Sequence, residues 1–394
     1  MTSALDGIRV LDVTQVMAGP YCATVLCDMG ADVIKVESPA GDSSRRMAGA
    51  EGDDSAAFNA VNRGKRGIVV DLKAARGQTV LRRLAAAADV LVENYRPGVM
   101  ARFGLDYPSL ARTNPRLIYA SISGYGQTGP AAGKGGFDLV AQGVSGLMSV
   151  TGEPDRAPVK VGVPLTDLGA GLFAVIGILG ALQHRTRTGR GQHVDTALVD
   201  AGVALSVWEA TELFSSGQVP LPLGSAHRMS APYQAVRCSD GYITLGAAND
   251  RIFRRLAHLL GHPEWVDDPA FASDGSRVRH RQRLAAAIEA VTATRPRAHW
   301  LAELDAHDIP CGPIQNYREV MDDPQVRARE MVMETRHPTL GTISTLGTPI
   351  KLSATPLTPG RPAPLLGQHT DEVLGEAGYG AVEIAALRAD GVVR

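Results

Sequence analysis

Short apolar runs alternate with helical patterns through the first part of the chain. The runs are rich in Val, Ile and Leu and cover residues 8–14, 32–37, 67–72, 90–95 and 117–123. Stretches with helical spacing separate most of them, for example residues 18–29 and 75–88. Strands that alternate with helices predict an α/β fold with a mostly parallel sheet covered on both faces. Because ligands of such sheets bind where the strands end, the loops after these runs form the candidate site.

The pattern changes in the middle of the chain. Two strand-like runs, residues 233–236 and 242–246, flank the turn Ser239-Asp240-Gly241, which predicts a β-hairpin. Helical stretches follow at residues 250–260, 277–293 and 298–307. The middle of the chain therefore predicts a second, α+β unit.

Length and composition limit the class of protein. A chain of 394 residues exceeds what one hydrophobic core usually organises. We therefore predict a large domain that begins in residues 1–215, a small domain with its linker in residues 216–315, and a return to the large domain in residues 316–394. Hydrophobic residues (44%) and charged residues (21%) are typical of a folded soluble protein. The net charge of −1 gives no overall field that would attract nucleic acid or an anionic membrane.

Several features favour a cytoplasmic protein without a metal. The longest apolar stretch, residues 168–182, is shorter than the roughly 20 residues of a membrane span, and glycines interrupt it, so it predicts a buried helix. The first residues lack the basic and apolar regions of a signal peptide. The four cysteines contain no C-x-x-C pair and are typical of reduced cytosolic thiols. The ten histidines form no metal-ligand spacing, so no metal site is expected.

A glycine motif after the strand at residues 117–123 raises the possibility of a dinucleotide site. Gly124-Tyr-Gly126-Gln-Thr-Gly129 has the spacing G-x-G-x-x-G. A dinucleotide site would need a helix to begin there and an acidic residue about 20 positions later. Instead Pro130 follows, and the next acidic residue is Asp138. We therefore expect no NAD, and we interpret the glycines as a loop that approaches a ligand or another chain closely.

Asp167 stands where the buried helix is predicted to begin. On spacing alone the commoner role is a helix cap, because aspartates often accept the free amides at a helix start. The same position also suits a nucleophile. A helix N-terminus favours an ionised carboxylate, and Gly169 and Gly171 leave room beside it. A carboxylate held in this way can attack an activated acyl group and become acylated.

Basic residues recur at the ends of the predicted strands and in the loops after them. They are Arg45, Arg46, Lys65, Arg66, Lys73, Arg96 and Arg102. Each alone is typical of a solvated surface, but together at the ligand-binding edge of a sheet they could hold a polyphosphate as large as that of CoA. A separate alternating run, Arg277, Arg279, Arg281 and Arg283, is interpreted as a solvated helix face.

These segments together resemble a known family, the class III coenzyme A transferases, also called the CaiB/BaiF family. The resemblance rests on segments in family order along nearly the whole chain. They are LDGIRVLDVT from Leu5 with Gly19-Pro20, GADVIKVE from Gly30, NRGKR from Asn62, VENYRPG from Val92, GFDLVAQ from Gly136, TGRGQ from Thr188 and PLLGQHT from Pro364. No single segment is decisive, but their order is very specific.

The resemblance implies a Rossmann-like large domain, a smaller domain, and two chains interlocked as a homodimer. It implies that Asp167 carries the acyl group and that acyl-CoA and a carboxylic acid are the substrates; from the net charge and the short apolar stretch, no nucleic acid or membrane is expected as a partner. It implies a CoA site lined by Gln15, Val16, Val70, Lys73, Asn94, Tyr95 and Arg102. The loop around Phe137 and Asp138 is expected close to the thioester.

The chain departs from the formyl-CoA branch of this family in two places. That branch has a glutamine where this chain has Met17, and a run of glycines where this chain has residues 224–231. The chain is more similar to the branch that uses succinyl-CoA and dicarboxylates such as glutarate. If this chain also uses a dicarboxylic acid, His227 and Arg228 are its candidates to bind the distal carboxylate of the acceptor acid.

Two alternatives have different chemistry. The α-methylacyl-CoA racemases of the same family have a histidine directly before the aspartate, where this chain has Phe137-Asp138. Proton removal from Cα needs groups that exchange protons, and Phe137 cannot do so. A CoA-binding protein without turnover is the other alternative, and Asp167 argues against it. The identities of donor and acceptor stay open.

Overall fold

The computed structural model describes residues 3–47, 55–357 and 360–394. The chain forms two compact units. The first contains Met1–Leu147, Val161–Leu205 and Pro324–Arg394, and the second contains Met148–Lys160 and Ser206–Asp323. The units thus divide after Leu205 and Asp323, whereas the sequence pattern placed the divisions after residues 215 and 315. The short segment Met148–Lys160, which gave no separate signal in the sequence, belongs to the second unit.

The described strands form three sheets. The strands are β1 (Arg9–Asp12), β2 (Asp32–Glu37), β3 (Arg66–Val69), β4 (Val90–Glu93), β5 (Ile118–Ser123), β6 (His193–Ala197), β7 (Tyr233–Cys238), β8 (Gly241–Gly246), β9 (Cys311–Pro313), β10 (Val332–His337) and β11 (Gly341–Leu346). The first sheet has six strands in the order β3-β2-β1-β4-β5-β6, and all its pairings are parallel. This confirms the predicted parallel sheet. Successive strands are added on one side of β1 as far as β3 and then on its other side from β4 onward, so the strand order reverses between β1 and β4. The gap at the carboxyl ends of these two strands is where ligands of such sheets bind.

Helices cover both faces of this sheet and build most of the second unit. They are α1 (Ala18–Asp28), α2 (Ala56–Asn62), α3 (Ala75–Ala86), α4 (Val99–Arg102), α5 (Tyr107–Leu110), α6 (Asp138–Val144), α7 (Leu147–Val150), α8 (Leu165–Thr188), α9 (Leu198–Leu205), α10 (Val207–Ser216), α11 (Asp250–Leu259), α12 (Asp274–Arg279), α13 (Arg281–Thr292), α14 (Arg297–Ala306), α15 (Tyr317–Asp322), α16 (Pro324–Ala328), α17 (Thr370–Glu376) and α18 (Ala381–Ala389). Short 3₁₀ turns lie at Ser43–Arg46 and Pro263–Val266.

Alternate residues of each central strand enter two separate apolar cores. Leu11 of β1 and Leu91 of β4 pack in the first core, and Val10 and Val90 pack in the second. This follows from the period of two along a strand, which points neighbouring side chains to opposite faces. All four side chains are fully buried, and burial of each contributes about 1.5–3 kcal/mol. The two cores fix the strand ends, where the candidate site lies.

Helix α8 is buried on one side only. The sequence predicted a buried helix over residues 168–182, but Leu172 and Ile176 are 42% and 63% exposed. Among the described residues it is the helix that has the length and hydropathy to cross a membrane. Its glycines serve packing, because a Cβ at Gly171 would lie 2.6 Å from the carbonyl oxygen of Ala18, and one at Gly177 would lie 2.6 Å from a methyl of Val194. The absent side chains let α8 approach α1 and β6.

The second unit contains the predicted hairpin. Strands β7, β8 and β9 form an antiparallel sheet around a core of its own. One expectation was wrong here: Arg277 is not on a solvated face but fully buried. Its guanidinium lies 4.4 Å from the Phe253 ring and donates to the carbonyl oxygens of Ala231 (2.7 Å) and Phe271 (2.9 Å) and to Asp250 (2.7 Å). Burial is tolerated because each donor group has a partner.

Candidate active site

Two adjoining cavities open at the carboxyl ends of β1, β4 and β5. The first has a volume of about 180 Å³ and the second about 300 Å³. The residues that line both are Gln15, Asn94, Ser123, Gly124, Gly136 and Phe137. These cavities lie where the order of the sheet reverses, so the fold itself creates the opening.

Asp167 lines the first cavity from the start of α8. The helix begins at Leu165, so Asp167 is its third residue, and no side chain caps the preceding Pro164. None of the hydrogen bonds described for residues 3–47, 55–357 and 360–394 ends at the Asp167 carboxylate. The capping interpretation is therefore not supported, and the carboxylate faces the cavity.

Burial determines the charge of Asp167 more than its helix position does. Burial, together with the nearby Asp138 carboxylate, raises the pKa of Asp167 to about 6. The helix N-terminus was expected to favour the ionised form, and that effect is outweighed. At neutral pH the carboxylate is still ionised, but it is more basic than an ordinary aspartate. Greater basicity in a desolvated site favours attack on a carbonyl carbon.

A hydrogen-bonded group anchors the segment in front of Asp167. Asp138 Oδ1 accepts from the Thr166 backbone N–H (3.0 Å) and hydroxyl (2.7 Å). Its Oδ2 accepts from Gln142 Nε2 at 2.7 Å, and Gln142 Oε1 accepts from the Val161 N–H at 2.8 Å. Gln142 is fully buried. This group ties residues 161–166 to α6 and so fixes the position of Asp167 at the start of α8.

The opposite wall is a strained loop after β1. The Asn94 side chain bonds both backbone groups of Gln15, accepting from its N–H at 2.9 Å and donating to its C=O at 2.8 Å. Val16 has φ of 71°, a conformation that is rare for a β-branched residue. Its N–H points to Asp42, with N···O distances of 3.2 and 3.3 Å to the two carboxylate oxygens. Strain of this kind persists where the surroundings impose it, often at functional sites.

Two glycine loops close the cavities from above. A Cβ at Gly124 would lie 2.7 Å from the Cα of Gly136, so only glycine permits this contact. The sequence predicted a loop of close approach at residues 124–129, but the partner loop at Gly135-Gly136 was missed. The signal for it was present in the neighbouring glycines before Phe137.

Buried ion pairs lie beneath the strained loop. Lys65 Nζ lies 2.7 Å from Asp12, and Lys35 Nζ lies 3.0 Å from Asp42. Burial alone would raise the pKa of Asp12, but the two lysines outweigh it and hold that pKa below its ordinary value. The expectation that Lys65 could hold a polyphosphate is therefore wrong, because its ammonium is fully buried and already bonded.

Arg45 and Arg66 are likewise structural. Arg45 is 1% exposed, pairs with Glu37 at 2.7 Å and lies 3.6 Å from the Phe58 ring. Arg66 is 6% exposed and pairs with Asp32, Glu372 and Glu376. Arg46 donates to the carbonyl oxygen of Ala40. Of the predicted basic group, Arg46, Lys73, Arg96 and Arg102 are exposed.

The comparisons with known proteins decide the family. The profile described as "CoA-transferase family III" matches residues 5–370. The chain belongs to this family. It is therefore a CoA-transferase, which moves CoA between acyl-CoA and carboxylic acids, and the resemblance in the sequence is confirmed.

Curated relatives act on different acids at similar levels of identity. The chain is 42% identical over 380 residues to a succinate–glutarate CoA-transferase from Agrobacterium fabrum, covering 94% of this chain and 95% of that protein. It is 39% identical over 355 residues to an acetyl-CoA:oxalate CoA-transferase from Acetobacter aceti, covering 88% of this chain and 89% of that protein. Identity alone therefore leaves the acids of this CoA-transferase open.

A solved structure shares the fold. A CAIB/BAIF family protein from Brucella suis is 42% identical, with a TM-score of 0.85 that covers 96% of this chain and 100% of that one. The α/β architecture expected for the family is confirmed.

The predicted CoA contacts of this CoA-transferase fall into two groups. Gln15, Asn94 and Tyr95 line the 300 Å³ cavity, and Val16 lines the smaller one. The others lie outside both: Val70 is buried in the core beyond β3, and Lys73 and Arg102 are exposed. Their contacts with CoA stay predictions.

The predicted substrate contacts are also divided. Met17 and Phe137 line the cavity of Asp167, and Phe137 is 75% exposed. Asp138 anchors Thr166 and Gln142, as described above. His227 and Arg228 belong to the second unit. There the His227 ring lies 5.0 Å from the Tyr233 ring, and Arg228 pairs with Glu212 at 3.0 Å and donates to the Leu221 carbonyl oxygen at 2.8 Å.

Several residues that line the cavity of Asp167 were not predicted as site residues. They include Ile122, Ser123, Gly136 and Leu198. Their positions at the end of β5, before Phe137 and at the start of α9 could have been suggested by the rule that ligands bind at strand ends. Within the described ranges, no group of three or more His, Cys, Asp or Glu side chains is arranged to hold a metal ion. All four cysteines are free thiols.

Proposed function

We propose that this enzyme exchanges CoA between succinyl-CoA and a dicarboxylic acid of the glutarate type, with Asp167 as the covalent nucleophile. The observation that carries the proposal is the Asp167 carboxylate, which faces a cavity and whose pKa burial raises to about 6. The 42% identity to a succinate–glutarate CoA-transferase supports the choice of acids.

The proposed reaction is a double displacement. Asp167 attacks the thioester carbonyl of the donor, which forms a mixed anhydride and releases CoA thiolate. The thiolate attacks the aspartyl carbonyl of the anhydride, which forms an aspartyl-CoA thioester and releases the donor acid. The acceptor carboxylate attacks this thioester to form a new anhydride and thiolate. The thiolate then attacks the acceptor carbonyl, which forms the product thioester and restores Asp167.

Each displacement develops negative charge on a carbonyl oxygen. Gly124 and Gly136, one from each glycine loop, line the cavity of Asp167, and their backbone amides are the proposed donors to that oxygen. Retention of CoA through the cycle would turn the thiolate attacks into local events. We assign CoA to the 300 Å³ cavity lined by Gln15, Asn94 and Tyr95, with exposed Lys73 and Arg102 available to its phosphates.

We also propose that the enzyme is a homodimer whose second copy covers α8. Leu172, Phe173 and Ile176 are 42%, 36% and 63% exposed on one face of this helix, and an apolar face of this kind is typical of an interface. The interlocked form is the one that the family resemblance implies. Light scattering should give a mass near twice 41.5 kDa, and Ile176→Lys should weaken association. A monomeric wild type would contradict the proposal.

For the acceptor, we propose that His227 and Arg228 meet the distal carboxylate. Changing both to Ala should raise the KM for glutarate and leave the KM for succinyl-CoA nearly unchanged. An unchanged KM for glutarate would reject this role. We further propose a cytoplasmic location, which the four free cysteines support.

The decisive experiment uses labelled succinyl-CoA. With the CoA moiety of succinyl-CoA labelled, the label should appear in glutaryl-CoA, and hydroxylamine should trap the activated enzyme as an adduct at Asp167 in the mapped peptide. Asp200→Asn, a carboxylate change in the neighbouring α9, is the matched control and should retain exchange. A trapped adduct at any other residue would overturn the mechanism. Label in oxalyl-CoA in place of glutaryl-CoA would favour the second candidate, an oxalate transferase, which the Acetobacter aceti relative suggests.

A further inference from the structure

A third cavity lies beneath α4 and α5, on the sheet face that carries Leu91. Its volume is about 240 Å³. Its sheet wall consists of Glu93 from β4, Tyr119 and Ser121 from β5, and His193 from β6. The same face is apolar deeper in the sheet, at Leu91 and Leu11. Three neighbouring strands therefore carry, on this face of the sheet, a group of polar side chains that the transfer reaction does not use.

A chain of hydrogen bonds runs from this cavity to the proposed CoA site. Glu93 is 4% exposed, and its Oε2 accepts from the Tyr95 backbone N–H at 2.8 Å. The Ser121 hydroxyl also bonds the Glu93 carboxylate and lies 2.9 Å from His193 Nε2. The His193 ring stacks on Tyr107 with centroids 5.7 Å apart. Tyr95 itself lines the 300 Å³ cavity, so a single hydrogen bond connects Glu93 to a residue of the proposed CoA site.

We propose that Glu93 is a positioning residue for CoA, and that its protonation state controls how firmly Tyr95 is held beside the ligand. This inference rests on the proposed function, because it requires the 300 Å³ cavity to be the CoA site. Glu93 acts through the backbone of Tyr95 and does not touch CoA.

The surroundings of Glu93 favour titration near neutral pH. Burial raises the pKa of Glu93 to about 7, the bonds from Ser121 and Tyr95 lower it, and Asp195 raises it. The titratable and charged groups around the cavity are Arg96 after β4, Tyr119 on β5, His193 and Asp195 on β6, and Asp106 and Tyr107 at the start of α5. No cation within this described set is paired with Glu93, which explains why its ionised form is not favoured more strongly.

The two protonation states differ in their hydrogen bonds. The ionised carboxylate accepts from both the Tyr95 N–H and the Ser121 hydroxyl, and such charge-assisted bonds are the stronger kind. The protonated carboxyl must donate its own proton, and Ser121 is the neighbouring acceptor. Ser121 can then donate to His193 Nε2. The Tyr95 N–H is held less firmly in this state, so CoA should bind more tightly above pH 7 than below it.

The test compares wild type with Glu93→Gln, because glutamine imitates the protonated acid at every pH. The dissociation constant of free CoA is measured by calorimetry from pH 5.5 to 8.5 in both proteins. Their ratio cancels the titration of the CoA phosphates. The variant should match wild type at low pH and bind roughly threefold to tenfold more weakly above pH 7.5. Glu264→Gln, the same change at an exposed carboxylate, should follow wild type throughout.

Two neighbouring variants should move the midpoint in opposite directions. Ser121→Ala removes a bond that favours the ionised form, so the midpoint should move to higher pH. Asp195→Asn removes a repelling charge, so the midpoint should move to lower pH. A purely structural role for Glu93 would move neither. If Glu93→Gln does not fold, these two profiles against wild type decide the question.

The failure of this inference is separable from failure of the proposed function. A ratio that is flat with pH, or midpoints that do not move, together with intact exchange and an adduct at Asp167, would reject Glu93 alone. Exchange that is absent, with a sigmoidal ratio, would reject the transfer mechanism and retain the CoA-positioning role.

Discussion

Asp12 and Asp167 both lie near the carboxyl end of the sheet, yet their surroundings give them opposite properties. Asp12 is fully buried and has Lys65 at 2.7 Å and Lys35 at 3.9 Å. Asp167 lies beside a cavity, and its charged neighbour is another acid, Asp138. The pKa of Asp12 is lowered, and the pKa of Asp167 is raised to about 6. Burial alone therefore does not make a carboxylate reactive, because the partner decides whether it is stabilised or available.

The largest expected effect is on catalysis. Asp167→Ala should reduce CoA exchange by about a thousandfold or more, because no other group replaces the proposed covalent nucleophile. The measurement is initial exchange rate with labelled succinyl-CoA. A variant that retains a tenth of wild-type activity would show that the reaction does not pass through Asp167.

The next largest effect concerns the paired carboxylate. Lys65→Met should lower the free energy of unfolding by about 3–5 kcal/mol, because Asp12 loses its nearest buried partner. Urea denaturation at pH 7.5 measures this change. A loss below 1 kcal/mol would mean that Lys35 alone neutralises Asp12.

Removal of the Asp167 charge should change the free energy of unfolding in the opposite direction, towards greater stability. Asp167→Asn should raise the free energy of unfolding by roughly 1–3 kcal/mol at pH 7.5, because it abolishes the burial of a charge. The pKa of the folded group, about 6, exceeds its ordinary value of 3.8, so wild type recovers this stability as pH falls from 6 towards 3.8. The gain should therefore fade over that range in urea titrations. A gain that is constant with pH would have another cause.

The smallest effect separates the two acids of the active site. Asp138→Asn removes the repelling charge and should lower the pKa of Asp167, so the acid limb of the exchange rate should move below its wild-type midpoint near pH 6. The asparagine oxygen can still accept from Thr166, which limits the structural disturbance. Rates from pH 4.5 to 8 measure the shift. A midpoint at higher pH would contradict the proposed repulsion.

Much of the fold could be predicted because burial leaves a local pattern. The runs that became β1, β2 and β4 are rich in Val, Ile and Leu, and that composition is typical of a strand buried on both faces. The glycines at residues 124–129 also predicted a loop that another segment approaches closely. These features depend on neighbours in the sequence, so a single chain displays them.

Partners distant in the sequence could not be predicted in the same way. Lysine and arginine are residue types that usually lie at the surface, so the sequence does not show that Lys65 and Arg277 are buried. Only the fold brings Asp12 to Lys65 and the Phe271 carbonyl oxygen to Arg277. The same reason explains Glu93, whose carboxyl meets Ser121 on the next strand. The prediction that Asp167 is a nucleophile depends on the family resemblance, because its spacing alone favours a cap. The sequence gives the sign of each charged residue, but only the fold determines which residues it contacts.

Gly171 carries a consequence for how wide an acyl group the enzyme admits. It sits one helical turn after Asp167, and a methyl at this position would collide with the main chain at Ala18, just past Met17. The proposed nucleophile and the loop that faces it are thus held at a separation set by a missing side chain. An alanine there would force the two walls apart, and the enzyme would be expected to accept bulkier acids while handling small ones less well.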